Sequence, residues 1–336
     1  MTYLLTAILN HPDLHTVNLS DNAFGSTAQV PLIGFLSSHI PLEHLILANN
    51  GLGPEAGSNI AQALATLGIA KHFHAKENNT IVPPLKTVIA GRNRLGDASM
   101  TSWAKCYSVN TSLETIRMPQ NGIRPDDIMI LLTEGIVYTK NLKVLDLQDN
   151  TFTARGSRAL AGILPQLTEL TDLGIGDCLL SNRGGVALAT ALAKGQNKKL
   201  ECLRLQYNEL TAHAAGEFVK AVKSSLPNLK RIELNGNKFF EEDLFIEDLR
   251  GIFLSRGYGE LDELDDLEEP DSEEEEEEED VPSEEEELHE EHVRPNAARD
   301  VINKQAEDQE LEEVAQEEDK ETDELAEALA KTHIKE

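Results

Sequence analysis

A pattern of nine positions, L-x-x-L-x-L-x-x-N, recurs along the chain. The copies are LHTVNLSDN ending at Asn22, LEHLILANN at Asn50, LKTVIAGRN at Asn93, LETIRMPQN at Asn121, LKVLDLQDN at Asn150, LTDLGIGDC at Cys178, LECLRLQYN at Asn208 and LKRIELNGN at Asn237. Their end points lie 28, 43, 28, 29, 28, 30 and 29 residues apart, and a near-constant period of this size marks a stacked repeat fold. Within each copy the leucine positions face a core while their neighbours face out, which predicts a short strand. The terminal Asn can donate to and accept from backbone groups where the chain turns away; Cys178 replaces it once. Between the strands, segments such as Ser157 to Leu164 and Val186 to Leu192 carry Ala and Leu at helical spacing. The pattern is that of a leucine-rich-repeat solenoid.

A period of 28–30 residues leaves room for a full helix per repeat. The fold class expected is therefore α/β and ribonuclease-inhibitor-like, with parallel strands on a concave face and helices on a convex one. No single repeat buries its own apolar face, so stacking makes one continuous core and both ends need caps. Asp243 to Leu254 reads as a final helix ended by Gly257 and Gly259. Tyr3 to Leu9 reads as the helix of a preceding repeat whose strand is absent, as in a truncated reading frame or a fragment. The 43-residue interval holds the one insertion, placed at Gly68 to Pro84 and expected as a basic surface loop with Lys71, His72, His74 and Lys76. Two histidines without a third ligand do not make a metal site.

Charge divides the chain further. From Glu260 to the end there are 36 Asp and Glu against 6 Lys and Arg, which accounts for the whole formal charge of −30. Residues 1–259 are read as the repeat domain and 260–336 as an acidic tail, disordered because a run such as Glu273 to Glu279 cannot bury enough apolar surface to offset its ordering entropy. Such a tail repels nucleic acid and anionic membranes and could attract basic partners. Between Asp308 and His333 apolar residues recur at roughly helical spacing, which admits a transient amphipathic docking helix. Cys106, Cys178 and Cys202 follow neither a disulfide nor a zinc spacing. No stretch is long and apolar enough to span a membrane. No nucleophile with a nearby base, no phosphate-cradling glycine loop and no ligand cluster stands out, so no cofactor is expected and binding is the function the fold favours.

The residues flanking each ladder position form a polar ridge: Asp21, Asn49, Arg92, Arg94, Gln120, Asp149, Asp177, Tyr207 and Glu209. Arg and Tyr there are the types that most often carry interface energy. Several stretches, namely LHTVNLSDNAFG, LANNGLGPEAG, GRNRL, QNGIRP, LKVLDLQDNTFT, LRLQYNE, ELNGN and RGYGELDELDD, resemble the fungal-type Ran GTPase-activating proteins. The resemblance spans about residues 4 to 266 and takes in the acidic tail. It implies that the partner is the small GTPase Ran in its GTP form, docked on the ridge, and that the chain stimulates hydrolysis by Ran without an active site of its own. It implies a role for Asn49 in fixing the glutamine of Ran that orients the attacking water. Asp21, Arg92, Arg94, Gln120, Asp149 and Tyr207 are the partner-binding candidates. Ran-binding proteins or import factors are further partners it suggests, and the cytoplasm, with the nuclear envelope, is the location. The family's additional N-terminal repeats, with a basic segment, have no counterpart here. An acidic leucine-rich-repeat chaperone of basic proteins, or a plain scaffold, is the alternative reading; the 28–30-residue period argues against the first and the acidic tail against the second.

Overall fold

The computed structural model describes Leu5, Leu9 and residues 11–270. Most of the helix expected over Tyr3 to Leu9, the glutamate run and the stretch near Asp308 lie outside the described residues. Among the described residues nine strands form one parallel sheet in sequence order. They are β1 Thr16–Asn18, β2 His44–Ile46, β3 Thr87–Ile89, β4 Thr115–Arg117, β5 Val144–Asp146, β6 Asp172–Gly174, β7 Cys202–Arg204, β8 Arg231–Glu233 and β9 Glu260–Leu261. The first eight occupy the third to fifth positions of the nonapeptides, and their middle residues, Val17, Leu45, Val88, Ile116, Leu145, Leu173, Leu203 and Ile232, are buried. Register is in step throughout: Thr115 pairs with Val144, Ile116 with Leu145 and Arg117 with Asp146.

The helices lie behind the sheet as α1 Gln29–Leu36, α2 Gly53–Asn78, α3 Met100–Val109, α4 Pro125–Ile130, α5 Thr153–Ile163, α6 Ser181–Ala193, α7 Ala212–Ser225 and α8 Leu244–Arg256. Each turns small or apolar residues inward, as α7 does with Ala214, Ala215, Phe218, Val219 and Val222. Burial of each large side chain in this continuous core contributes roughly 1.5–3 kcal/mol. The fourth repeat departs from a full helix: after six residues α4 passes into a π turn at Leu131–Gly135 and a 3₁₀ turn at Ile136–Tyr138.

The ladder asparagines fasten the repeats where the strands end. Asn93 donates from Nδ2 to the carbonyls of Ala90 (3.0 Å) and of Leu47 one repeat back (2.9 Å), while its own N–H reaches Oδ1 of Asn121 at 2.9 Å. The same triad recurs at Asn208, bonded to Leu205, Ile175 and Asn237. Cys178 takes the ladder place in the sixth repeat; it is buried, and burial pushes its thiol up to about 12.

Two sequence expectations are corrected here. The segment from Gly68 to Pro84 is not a loop over most of its length, because α2 continues 26 residues to Asn78 and ends at Asn79 in a left-handed cap (φ 50°). Gly68 serves close packing within that helix: a Cβ there would lie 2.7 Å from Oδ1 of Asn110. Lys71 is likewise no surface cation. It is 6% exposed, donates to the carbonyls of Leu42 and of Pro83 (2.6 Å for the latter), and so staples the returning chain to the helix. The boundary at Gly259 also falls too early. Strand β9 pairs with β8, and Asp262 accepts from the N–H groups of Leu234 (2.8 Å) and Asn235 (3.0 Å). Residues 260–268 thus close the sheet.

Candidate functional site

The residue just before each ladder position has a left-handed backbone in every repeat: Asp21 (φ 62°), Asn49 (56°), Arg92 (58°), Gln120 (54°), Asp149 (55°), Asp177 (53°), Tyr207 (56°) and Gly236 (66°). This conformation is unfavourable for Arg, Gln and Tyr, yet the repeat imposes it alike on all. What holds it, at every one of these positions but Gly236, is a row of main-chain bonds in which the N–H group donates to the carbonyl one position earlier in the next repeat; the Gly236 N–H donates instead to Oδ1 of Asn235 at 3.0 Å. Examples are Asn49 to Gly91 (2.9 Å), Gln120 to Gln148 (2.9 Å) and Asp149 to Gly176 (3.0 Å). A second left-handed position follows the ladder residue at Arg94 (55°), Leu179 (54°) and Glu209 (58°). The outcome is a ridge whose backbone is pinned while its side chains project to solvent; all but Gly236 are exposed.

Three stretches of this ridge differ in chemistry. At the N-terminal end Asn49 donates from Nδ2 to Oδ1 of Asp21 at 2.8 Å. In the middle, Arg94, Gln120 and Asp149 come together with Thr151, Asp177 and Leu179 around a groove of about 630 Å³. The groove therefore offers one cation, two carboxylates, an amide and an apolar surface side by side. Arg92 lies on the ridge beside it and does not line it. At the C-terminal end the Tyr207 ring lies across Gly236, where a Cβ would come within 2.1 Å of it, and the Tyr207 hydroxyl donates to Oδ2 of Asp266 at 2.8 Å. That bond, with the surrounding carboxylates, holds the phenol above its usual range. Of the sequence candidates, then, Arg94, Gln120 and Asp149 share one groove, Asp21 and Asn49 form a pair, and Tyr207 is engaged by the C-terminal segment.

Besides Thr151, two contributors were not singled out in the sequence. Leu179 is 45% exposed; its signal is an apolar residue where other repeats place Arg94 or Glu209. Asp266 stands in a run of acids with nothing local to set it apart, and only the ninth strand brings it to the ridge. Elsewhere, toward the C-terminal end of the sheet, polar side chains on its exposed face meet one another. There Arg204 pairs with Asp172 and Gln206 donates to Gln148 at 2.8 Å. Among the described residues no three His, Cys, Asp or Glu side chains converge to hold a metal, and no helix is long and apolar enough to cross a membrane.

Comparison with known proteins agrees with the repeat. A family model described as "Leucine Rich repeat" matches residues 38–61 and 139–161. The chain is 38% identical over 259 residues to Ran GTPase-activating protein 1 of Saccharomyces cerevisiae, covering 75% of this chain and 62% of that protein. It is 33% identical over 232 residues to the Ran GTPase-activating protein of Drosophila melanogaster, covering 68% of this chain and 37% of the relative. Among solved structures, an internalin (inlF) of Listeria monocytogenes aligns at a TM-score of 0.36 and 16% identity, over 73% of this chain and 67% of that one. The chain spans about three fifths of the length of the yeast relative and less of the fly one. By its repeats and by this similarity it is a leucine-rich-repeat homologue of the Ran GTPase-activating proteins.

Proposed function

We propose that this chain is a GTPase-activating protein for Ran, binding Ran in its GTP form along the ridge and accelerating its hydrolysis. The observation that carries the proposal is the similarity to the yeast activator, which runs over 75% of the chain and so takes in most of the ridge. In this reading the groove from Arg94 to Leu179 is the docking surface, and the rigid left-handed backbone presents it with little ordering left to do on binding. Asn49 acts at the reacting end: its amide holds the glutamine of Ran that orients the attacking water, and the chain supplies positioning and no covalent chemistry. Ran-binding proteins or import factors are further partners, and the activity belongs in the cytoplasm or at its face of the nuclear envelope, in support of nucleocytoplasmic transport.

Binding provides the test. Ran loaded with a non-hydrolysable GTP analogue should bind the full chain more tightly than Ran·GDP, by calorimetry or interferometry. Asp149→Gly, which keeps the left-handed backbone, should weaken that binding by about tenfold, the effect of losing roughly 1.4 kcal/mol. Equal affinity for the two nucleotide states would count against the proposal.

A further inference from the structure

We propose that Asp21 is a positioning residue that fixes which way round the Asn49 amide faces, so that Asn49 offers its oxygen, a hydrogen-bond acceptor, to the partner. This rests on the role given to Asn49 above. The two residues occupy the same place in adjacent repeats, with matched left-handed backbones (φ 62° and 56°). Both are pinned through their N–H groups, Asp21 to the carbonyl of Ala48 (3.0 Å) and Asn49 to that of Gly91 (2.9 Å). Neighbouring parallel strands lie about 4.8 Å apart, which is the reach of one short side chain to the next. Across that gap Nδ2 of Asn49 donates to Oδ1 of Asp21 at 2.8 Å.

An amide can be turned end for end, but here the two orientations are not equivalent. An ionised carboxylate only accepts. Turning the Asn49 amide over would set its oxygen against the Asp21 oxygen, two acceptors with no proton between them. The bond thus leaves Oδ1 of Asn49 on the outer side, in an exposed residue. An acceptor in that place selects a donor: an N–H or O–H of the partner. If the group met is a glutamine side chain, its N–H must point to Asn49, which turns its own carbonyl oxygen the other way, toward the water. That oxygen accepts a proton of the water and leaves an oxygen lone pair free for the γ-phosphate. Asp21, Asn49, glutamine and water then form one chain with every donor pointing in the same sense, an arrangement in which each bond strengthens the next.

The test uses substitutions that tolerate the left-handed backbone. Asp21→Gly removes the acceptor; Asp21→Asn keeps an oxygen that can take the same bond. With the full chain and saturating Ran·GTP, D21G should lower kcat roughly tenfold to a hundredfold with KM little changed, and D21N should recover most of the loss. In an Asn49→Gly background D21G should have no further effect. A rise in KM alone would make Asp21 a direct contact and overturn the proposal, as would a D21G chain with wild-type kcat. Separately, the side-chain amide resonances of Asn49 in the free protein, identified by their absence in Asn49→Gly, should shift in D21G and return in D21N. Resonances unmoved in D21G would overturn the proposal with no partner present. Stimulation that survives Asn49→Gly while those resonances respond would overturn the reading of Asn49 and leave the Asp21 clamp standing.

Discussion

Arg92, Gln120 and Tyr207 each carry a side chain on a left-handed backbone, at a cost of roughly 1–2 kcal/mol apiece. The cost is offset by the main-chain rung each N–H makes with the next repeat, so the strain belongs to the repeat geometry; the Arg92 and Gln120 side chains stay exposed, while the Tyr207 hydroxyl is held by Asp266. Glycine at such positions is the least perturbing truncation, which is why it is preferred to alanine here. Lys71 illustrates the opposite use of a charged residue. Burial holds its ammonium down to about 8 from the ordinary 10.5. Between those values the unfolded chain binds more protons than the folded one, so stability rises with pH through that window and is lost again as pH falls through 8. Chemical denaturation below pH 8 and near pH 10.5 should show this rise for the wild-type chain relative to Lys71→Met, in which it is absent; equal pH dependence in the two would remove Lys71 as its source.

At the scale of the element, the asparagine ladder ties strand ends to one another. Asn208 is fully buried and serves three backbone groups, accepting from Cys178 N–H and donating to the carbonyls of Ile175 and Leu205. Asn208→Ala strands those groups, each at about 1–3 kcal/mol, so urea denaturation should show a loss on the order of 3 kcal/mol or more. A loss under 1 kcal/mol would mean that water replaces the amide. The strands were readable in the sequence because the nonapeptide repeats both the buried leucines and the polar ladder residue. The length of α2 was not. His72, His74 and Lys76 look like loop residues in isolation, and the helix persists because Gly68 packs against Asn110 and Lys71 donates to the carbonyls of Leu42 and Pro83, contacts between residues far apart in the chain. The ninth strand was hidden for a similar reason: Asp262 and Asp266 look like the start of the acidic run until the edge of β8 and the ridge supply their partners.

For the whole molecule, the charge divides at Glu260 while the sheet runs on past that point as β9, and the small offset matters. Neutral repeats carry the ridge, and the excess charge of −30 lies from Glu260 onward, where it is screened within about 8–10 Å at physiological ionic strength. Stability in a solenoid is close to a sum of nearest-neighbour terms. A chain ending at Gly259 would lose β9, the Asp262 bonds that hold Leu234 and Asn235, and the Asp266 contact to Tyr207; it should fray from that end. A chain ending at Pro270 keeps all of them. The ridge itself was legible in the sequence as a set of flanking positions, but which of its members meet was not, since the groove gathers Arg94, Gln120, Asp149 and Leu179 from separate repeats. The most direct measurement is single-turnover hydrolysis of GTP by Ran with trace amounts of the full chain, the chain ending at Pro270 and Asn49→Gly. Stimulation that is shared by the first two and lost in Asn49→Gly is the outcome expected; no stimulation by either of the first two, or full stimulation by Asn49→Gly, would contradict an activator that works through this ridge.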